Sequence, residues 1–87
     1  MHIFKYKFED AIKLPHGAKI LDVHKYGDTA FLWALVDPAA SLQTRFFRMC
    51  ATGEHLPRGA WAWKYITTAH DGGFVWHIFE IPNEDAL

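Results

Sequence analysis

From His2 to Phe8 apolar and polar positions alternate, with Phe4, Tyr6 and Phe8 on one side and Ile3, Lys5 and Lys7 on the other. A period of two marks a half-buried β-strand, and the two lysines suit a sheet edge. Ala11 to Leu14 reads as a second, short strand that Pro15 ends, with His16-Gly17 as the turn after it. Ala18 to Tyr26 follows, with Leu21 and Val23 set against Ile20, Asp22 and His24. Gly27-Asp28 supplies a hairpin turn into Thr29 to Val36. That strand is apolar on both faces: Phe31, Trp33 and Leu35 on one, Leu32, Ala34 and Val36 on the other. Such a strand is expected to be central and covered on both sides, by this chain or by a second subunit.

Beyond Asp37-Pro38, the run Leu42 to Thr52 sets Arg45, Phe47 and Met49 against Phe46, Arg48 and Cys50. Gly53 to Gly59, with Pro57 inside it, is the longest loop. Trp61 to Ala69 reads as the sixth strand, with Trp61, Trp63, Tyr65 and Thr67 on one face. Asp71-Gly72 is a strong turn signal. Phe74 to Ile81 then sets Phe74, Trp76 and Ile78 against Val75, His77, Phe79 and Ile81. Only Pro38 to Thr44 has room for a helical turn, because no segment carries a sustained 3.6-residue apolar pattern with caps. The pattern predicts an all-β fold: a single small antiparallel β-sandwich or partly open barrel of six to seven strands. It covers residues 1–81, and residues 82–87 read as a polar C-terminal tail.

Composition sharpens this. Half of the 87 residues are hydrophobic and 16% are aromatic, which excludes a disordered segment. Cys50 is the single cysteine, so no intrachain disulfide staples the fold. Nine Lys plus Arg against ten Asp plus Glu leave a formal charge of −1. General DNA binding is therefore not expected, and any basic patch has to be local. No stretch reaches the roughly 18–20 apolar residues of a membrane helix. The first residues lack the apolar core of an export signal. Together with the lone cysteine, this predicts a cytoplasmic protein that does not engage a membrane.

The residues that carry chemistry are scattered. His2, His16, His24, His55, His70 and His77 show no zinc-type spacing. His70 and His77 are the best pair, facing each other across the Asp71-Gly72 hairpin. Ser41 and Cys50 lie in no nucleophile elbow, and a cysteine within an apolar strand is usually a small buried hydrophobe. Glu9/Asp10 and Glu84/Asp85 flank strands or lie in the tail, and the glycines form no phosphate-binding loop. The segment Gly72 to Phe79 echoes an RNA-binding strand motif but lacks its leading basic residue. The expectation is a protein without enzymatic activity, metal or other cofactor, with a metal-dependent enzyme as the weakest alternative. What remains is a candidate binding surface of Arg45, Arg48, His55 and Arg58 with Trp61, Trp63 and Tyr65. Trp, Tyr and Arg dominate protein-interface hot spots; the same types stack bases and hold phosphates. The competing reading makes the Trp61, Trp63 and Tyr65 face part of the core.

Five segments, in order, span nearly the whole chain and resemble an uncharacterised family of small phage and prophage proteins. They are Leu14-Pro15-His16-Gly17-Ala18-Lys19-Ile20-Leu21, Leu32-Trp33-Ala34-Leu35-Val36-Asp37-Pro38, Arg45-Phe46 with Thr52-Gly53, Tyr65-Ile66-Thr67-Thr68, and Gly73-Phe74-Val75-Trp76-His77-Ile78-Phe79-Glu80. The chain departs where the family tends to read Thr-Gly-His, since Glu54 precedes His55 here. The resemblance implies a phage origin and no particular chemistry. It makes a host defence protein, such as a CRISPR effector, the expected partner of a small inhibitor. The alternative is an oligomeric sponge for a nucleotide immune signal. Either fits a homo-oligomer.

Overall fold

The computed structural model describes residues 1–83. Most of the expected tail, including Glu84 and Asp85, lies outside the described residues. The described chain forms seven strands: β1 (His2–Lys7), β2 (Ala11–Pro15), β3 (Lys19–Tyr26), β4 (Thr29–Val36), β5 (Leu42–Ala51), β6 (Lys64–Asp71) and β7 (Phe74–Ile81). They build two antiparallel sheets, one of order β1-β4-β3 and one of order β2-β5-β7-β6. No described helix is long and apolar enough to cross a membrane.

The core lies between the sheets. Leu32, Ala34 and Val36 of β4 and Val23 of β3 meet Ile12 and Leu14 of β2, Phe47 of β5 and Ile78 of β7. Alternation along each strand puts these apolar residues inside. The expectation for β4 holds in part. It is the central strand of its sheet, and one face is fully buried. The other face, with Phe31, Trp33 and Leu35, is flanked by side chains of β1 and β3 and points outward.

The sheets are joined on one side by Glu9 and Asp10. Phe8 N–H donates to Ala30 O at 2.8 Å on one side of this link, and Phe47 N–H donates to Asp10 O at 2.8 Å on the other. On the opposite side β3 and β6 run alongside each other. Among the described residues no backbone hydrogen bond ties them. The result is a partly open barrel. An ion pair sits at each end. Lys25 bonds Asp71 at 3.0 Å and lies over the Trp76 ring, 5.4 Å from its centroid. At the other end Arg45 grips Glu80 through two bonds, Nε to Oε2 at 2.6 Å and Nη2 to Oε1 at 2.7 Å, and also donates to Ala18 O.

Four local expectations change. Strict alternation placed Leu21 with Val23, but a bulge between Ile20 and Asp22 intervenes. It lets Ile20 and Val23 both face the core although three residues apart, and leaves Leu21 exposed. A second bulge between Tyr65 and Thr67 sets these two residues on opposite faces, opposite Phe79 and Ile78. The hairpin turn is Gly72-Gly73, with Asp71 already paired to Phe74; Gly72 adopts φ +62°, which side chains disfavour. The short helical turn is not at Pro38 to Thr44. It is a 3-10 turn at Arg58–Ala62, so Trp61 precedes β6 instead of belonging to it.

Candidate functional site

The outer face of the four-stranded sheet carries most of the aromatic and basic residues singled out in the sequence. Parity along β5 sends Phe46 and Arg48 to this face and Arg45 and Phe47 to the other. Tyr65 is registered opposite Phe79 on the same outer face. Trp63, just before β6, meets Phe79 edge-on at 6.0 Å, and Tyr65 does so at 5.9 Å. The Arg48 guanidinium lies over Trp63, 5.4 Å from the ring centroid. Tyr65 Oη and Thr68 Oγ1 share a hydrogen bond of 2.7 Å. These contacts hold the rings in fixed orientations and leave their free edges at the surface.

The loop before the 3-10 turn completes the face. Glu54 folds back so that its carboxylate accepts from Ala51 N–H at 3.2 Å and from Arg48 Nη2 at 2.7 Å. The backbone bond from Ala51, and then Arg48, hold the Glu54 carboxyl below its ordinary value. A carboxyl lowered on folding favours the folded loop above the ordinary carboxylate range. That contribution is lost as pH falls through the lowered folded value. Pro57 starts the 3-10 turn, and Trp63 N–H donates to Ala60 O at 3.0 Å to close it. Trp61 at its tip is 95% exposed. A groove of about 620 Å³ lies between Asp10, Phe46, Arg48, Pro57, Trp63 and Ile81. A shallower apolar hollow of about 230 Å³ lies between Leu56, Pro57, Ala60, Trp61 and Phe79.

The expected set thus divides. Arg48, Trp63 and Tyr65 come together around Phe79, and Trp61 stands beside them. His55 and Arg58 are exposed in the loop and the turn leading to Trp61. Arg45 is on the opposite face, spent on Glu80 and Ala18 O. The face as a whole is surface and not core. Phe79, Glu54, Asp10 and Pro57 were absent from the sequence set. Phe79 was findable, because alternation in β7 already set it opposite Ile78. The bonds of Glu54 depend on a loop conformation that no spacing rule predicts.

Two chemistries weighed in the sequence take concrete form. The predicted hairpin contact of His70 and His77 is not direct: His77 is registered opposite Thr68, and His70 opposite Val75. His77 Nε2 instead meets Thr52 Oγ1 at 2.7 Å. Among the described residues no group of three His, Cys, Asp or Glu gathers to hold a metal ion. Cys50 is buried, and burial pushes its thiol above the ordinary value. Its thiolate fraction near neutral pH is accordingly small. Native protein is expected to react with an aromatic disulfide reagent at least tenfold more slowly than urea-unfolded protein. Equal rates would show that the thiol is accessible.

The sequence model of a family described as a domain of unknown function (DUF7352) matches residues 1–86, and the chain belongs to that family. No curated protein and no solved structure matches it.

Proposed function

We propose that this member of the DUF7352 family is a non-enzymatic binding protein that antagonises a host defence system by protein contact, through the outer face of the four-stranded sheet. The observation that carries this is Trp61, 95% exposed at the tip of a closed 3-10 turn and beside an apolar hollow. A rigidly presented tryptophan next to partly buried Trp63 and Phe79 has the make-up of an interface hot spot. The resemblance to small phage proteins supports a defence component as the partner.

The ion pairs favour protein contact over capture of a nucleotide. Arg48, the cation stacked on Trp63, is held by Glu54, and Arg45 is held by Glu80 on the opposite face, which leaves Arg58 and Lys64 as the cations near Trp61 that take part in no ion pair among the described residues. Binding a phosphate at Arg48 or Arg45 requires breaking those bonds.

The test is plating efficiency of phage on defended hosts with the protein expressed. Wild type is expected to raise plating, and Trp61→Ala and Arg58→Ala to cut that gain at least tenfold. Both variants should keep their stability within about 0.5 kcal/mol, as surface changes do. If neither changes plating, this face is not the contact site. Calorimetry against cyclic and ADP-ribose-type nucleotides supplies the control, and saturable heat would favour the sponge.

A further inference from the structure

The outer face of the three-stranded sheet has a different character. Direct pairing places Ile3, Lys5 and Lys7 of β1 beside Leu35, Trp33 and Phe31 of β4. Across β4 lie Lys19, Asp22, His24 and Tyr26 of β3. Four rings form a connected path on this face. Phe31 lies 6.4 Å from Trp33 and 6.3 Å from Tyr26, and His24 lies 5.7 Å from Trp33 and 6.1 Å from Tyr26. Tyr26 is 59% exposed. Lysines lie on both sides of the rings, and Lys5 Nζ sits 4.5 Å above Phe31.

Lys5, Lys7 and Lys19 take part in no ion pair among the described residues. The one acid registered on these rows, Asp22, is already engaged by His24 Nε2 at 2.8 Å and by Val23 N–H at 2.9 Å. The face therefore offers a ring platform and a local positive charge, inside a chain whose total is −1. Aromatic rings stack bases of any sequence, and lysines outside ion pairs track the phosphates, Lys5 from its place beside Phe31. A second copy of this chain would bring the same lysines against one another, which opposes face-to-face self-association. We propose that this sheet face binds single-stranded nucleic acid, without sequence preference, through Tyr26, Phe31 and Trp33 with Lys5, Lys7 and Lys19.

The test is fluorescence anisotropy of labelled twelve-nucleotide dT and U strands, and of a duplex of the same length, across a salt series. Three phosphate contacts on a single strand predict a slope of log K against log salt of about −2. The double variant Lys5→Ala, Lys7→Ala is expected to reduce the slope to about −0.7. Tyr26→Ala is expected to weaken binding at least fivefold at constant salt. Circular dichroism and thermal melting check that each variant is folded. Stronger binding of dT or of U identifies the natural strand as DNA or RNA. The proposal is overturned by no binding at low salt, by duplex binding as tight as single-strand binding, or by a loss with Trp61→Ala equal to that with Tyr26→Ala. It is also overturned if sedimentation shows a dimer that Tyr26→Ala dissociates while no strand binds. That result would assign the face to a second copy.

Discussion

Phe47→Ala is expected to lower the unfolding free energy by about 3–5 kcal/mol. Phe47 is 1% exposed and lies where the sheets meet. Its ring packs 6.1 Å from Phe8, which leads out of β1 toward the link between the sheets. Removing it deletes the transfer free energy of an aromatic ring and leaves a cavity that two hydrogen-bonded sheets can close only partly. A domain of this length has about 4–13 kcal/mol in total at the usual stability per residue. At roughly 4–8 °C per kcal/mol, the midpoint should fall by tens of degrees. Urea and thermal unfolding followed by tryptophan emission measure this. Leu42→Ala is the control: Leu42 is largely exposed on the same strand, so its change should stay within about 0.5 kcal/mol. Similar losses for the two variants would contradict the core assignment.

The second large effect concerns Arg45. Arg45 and Glu80 are 14% and 17% exposed and share two short bonds. Truncating either partner leaves the other charge mostly desolvated and uncompensated, and Arg45→Ala is expected to cost about 2–4 kcal/mol. The pair's own net worth is smaller, because each charge also lost water when it was buried. The double variant Arg45→Met, Glu80→Leu should therefore recover most of the loss. A double variant no more stable than the sum of the single losses would mean that the ion pair itself is not the cause. Arg45→Ala below 1 kcal/mol would mean that the end of the barrel tolerates an unpaired Glu80.

These two residues also show how far alternation reads. Along β5 the sequence pattern set Arg45 and Phe47 against Arg48, and the structure keeps that division. The same parity separates Arg45 from the candidate surface in which it had been grouped with Arg48. Proximity in sequence is thus a weaker guide to a shared surface than strand parity. The strands were legible because their side chains alternate, most clearly in β2, β4, β5 and β7, where one face is buried and a one-residue slip would expose it. The bulges at Leu21 and Ile66 were not legible, because an added residue satisfies the core pattern only after the partner strand is known. Trp61 was placed in a strand for the related reason that a 3-10 turn of five residues is too short to show a helical period. The ring path of His24, Tyr26, Phe31 and Trp33 spans β3 and β4. It emerges only from their pairing, since alternation within either strand shows half of it.

The seam between β3 and β6 gives the barrel a direction of least mechanical resistance. Elsewhere, neighbouring strands cannot part without breaking a ladder, and β1 and β2 are tethered by Glu9 and Asp10. At the seam the restraints among the described residues are side-chain packing and the Lys25–Asp71 bond. The two sheets stay joined across their shared core and by the crossings at Glu9-Asp10, His16–Ala18 and Asp37–Ser41. The two proposed surfaces lie on the outer faces of the two sheets, so each can be engaged by a ligand without parting the seam or disturbing the core.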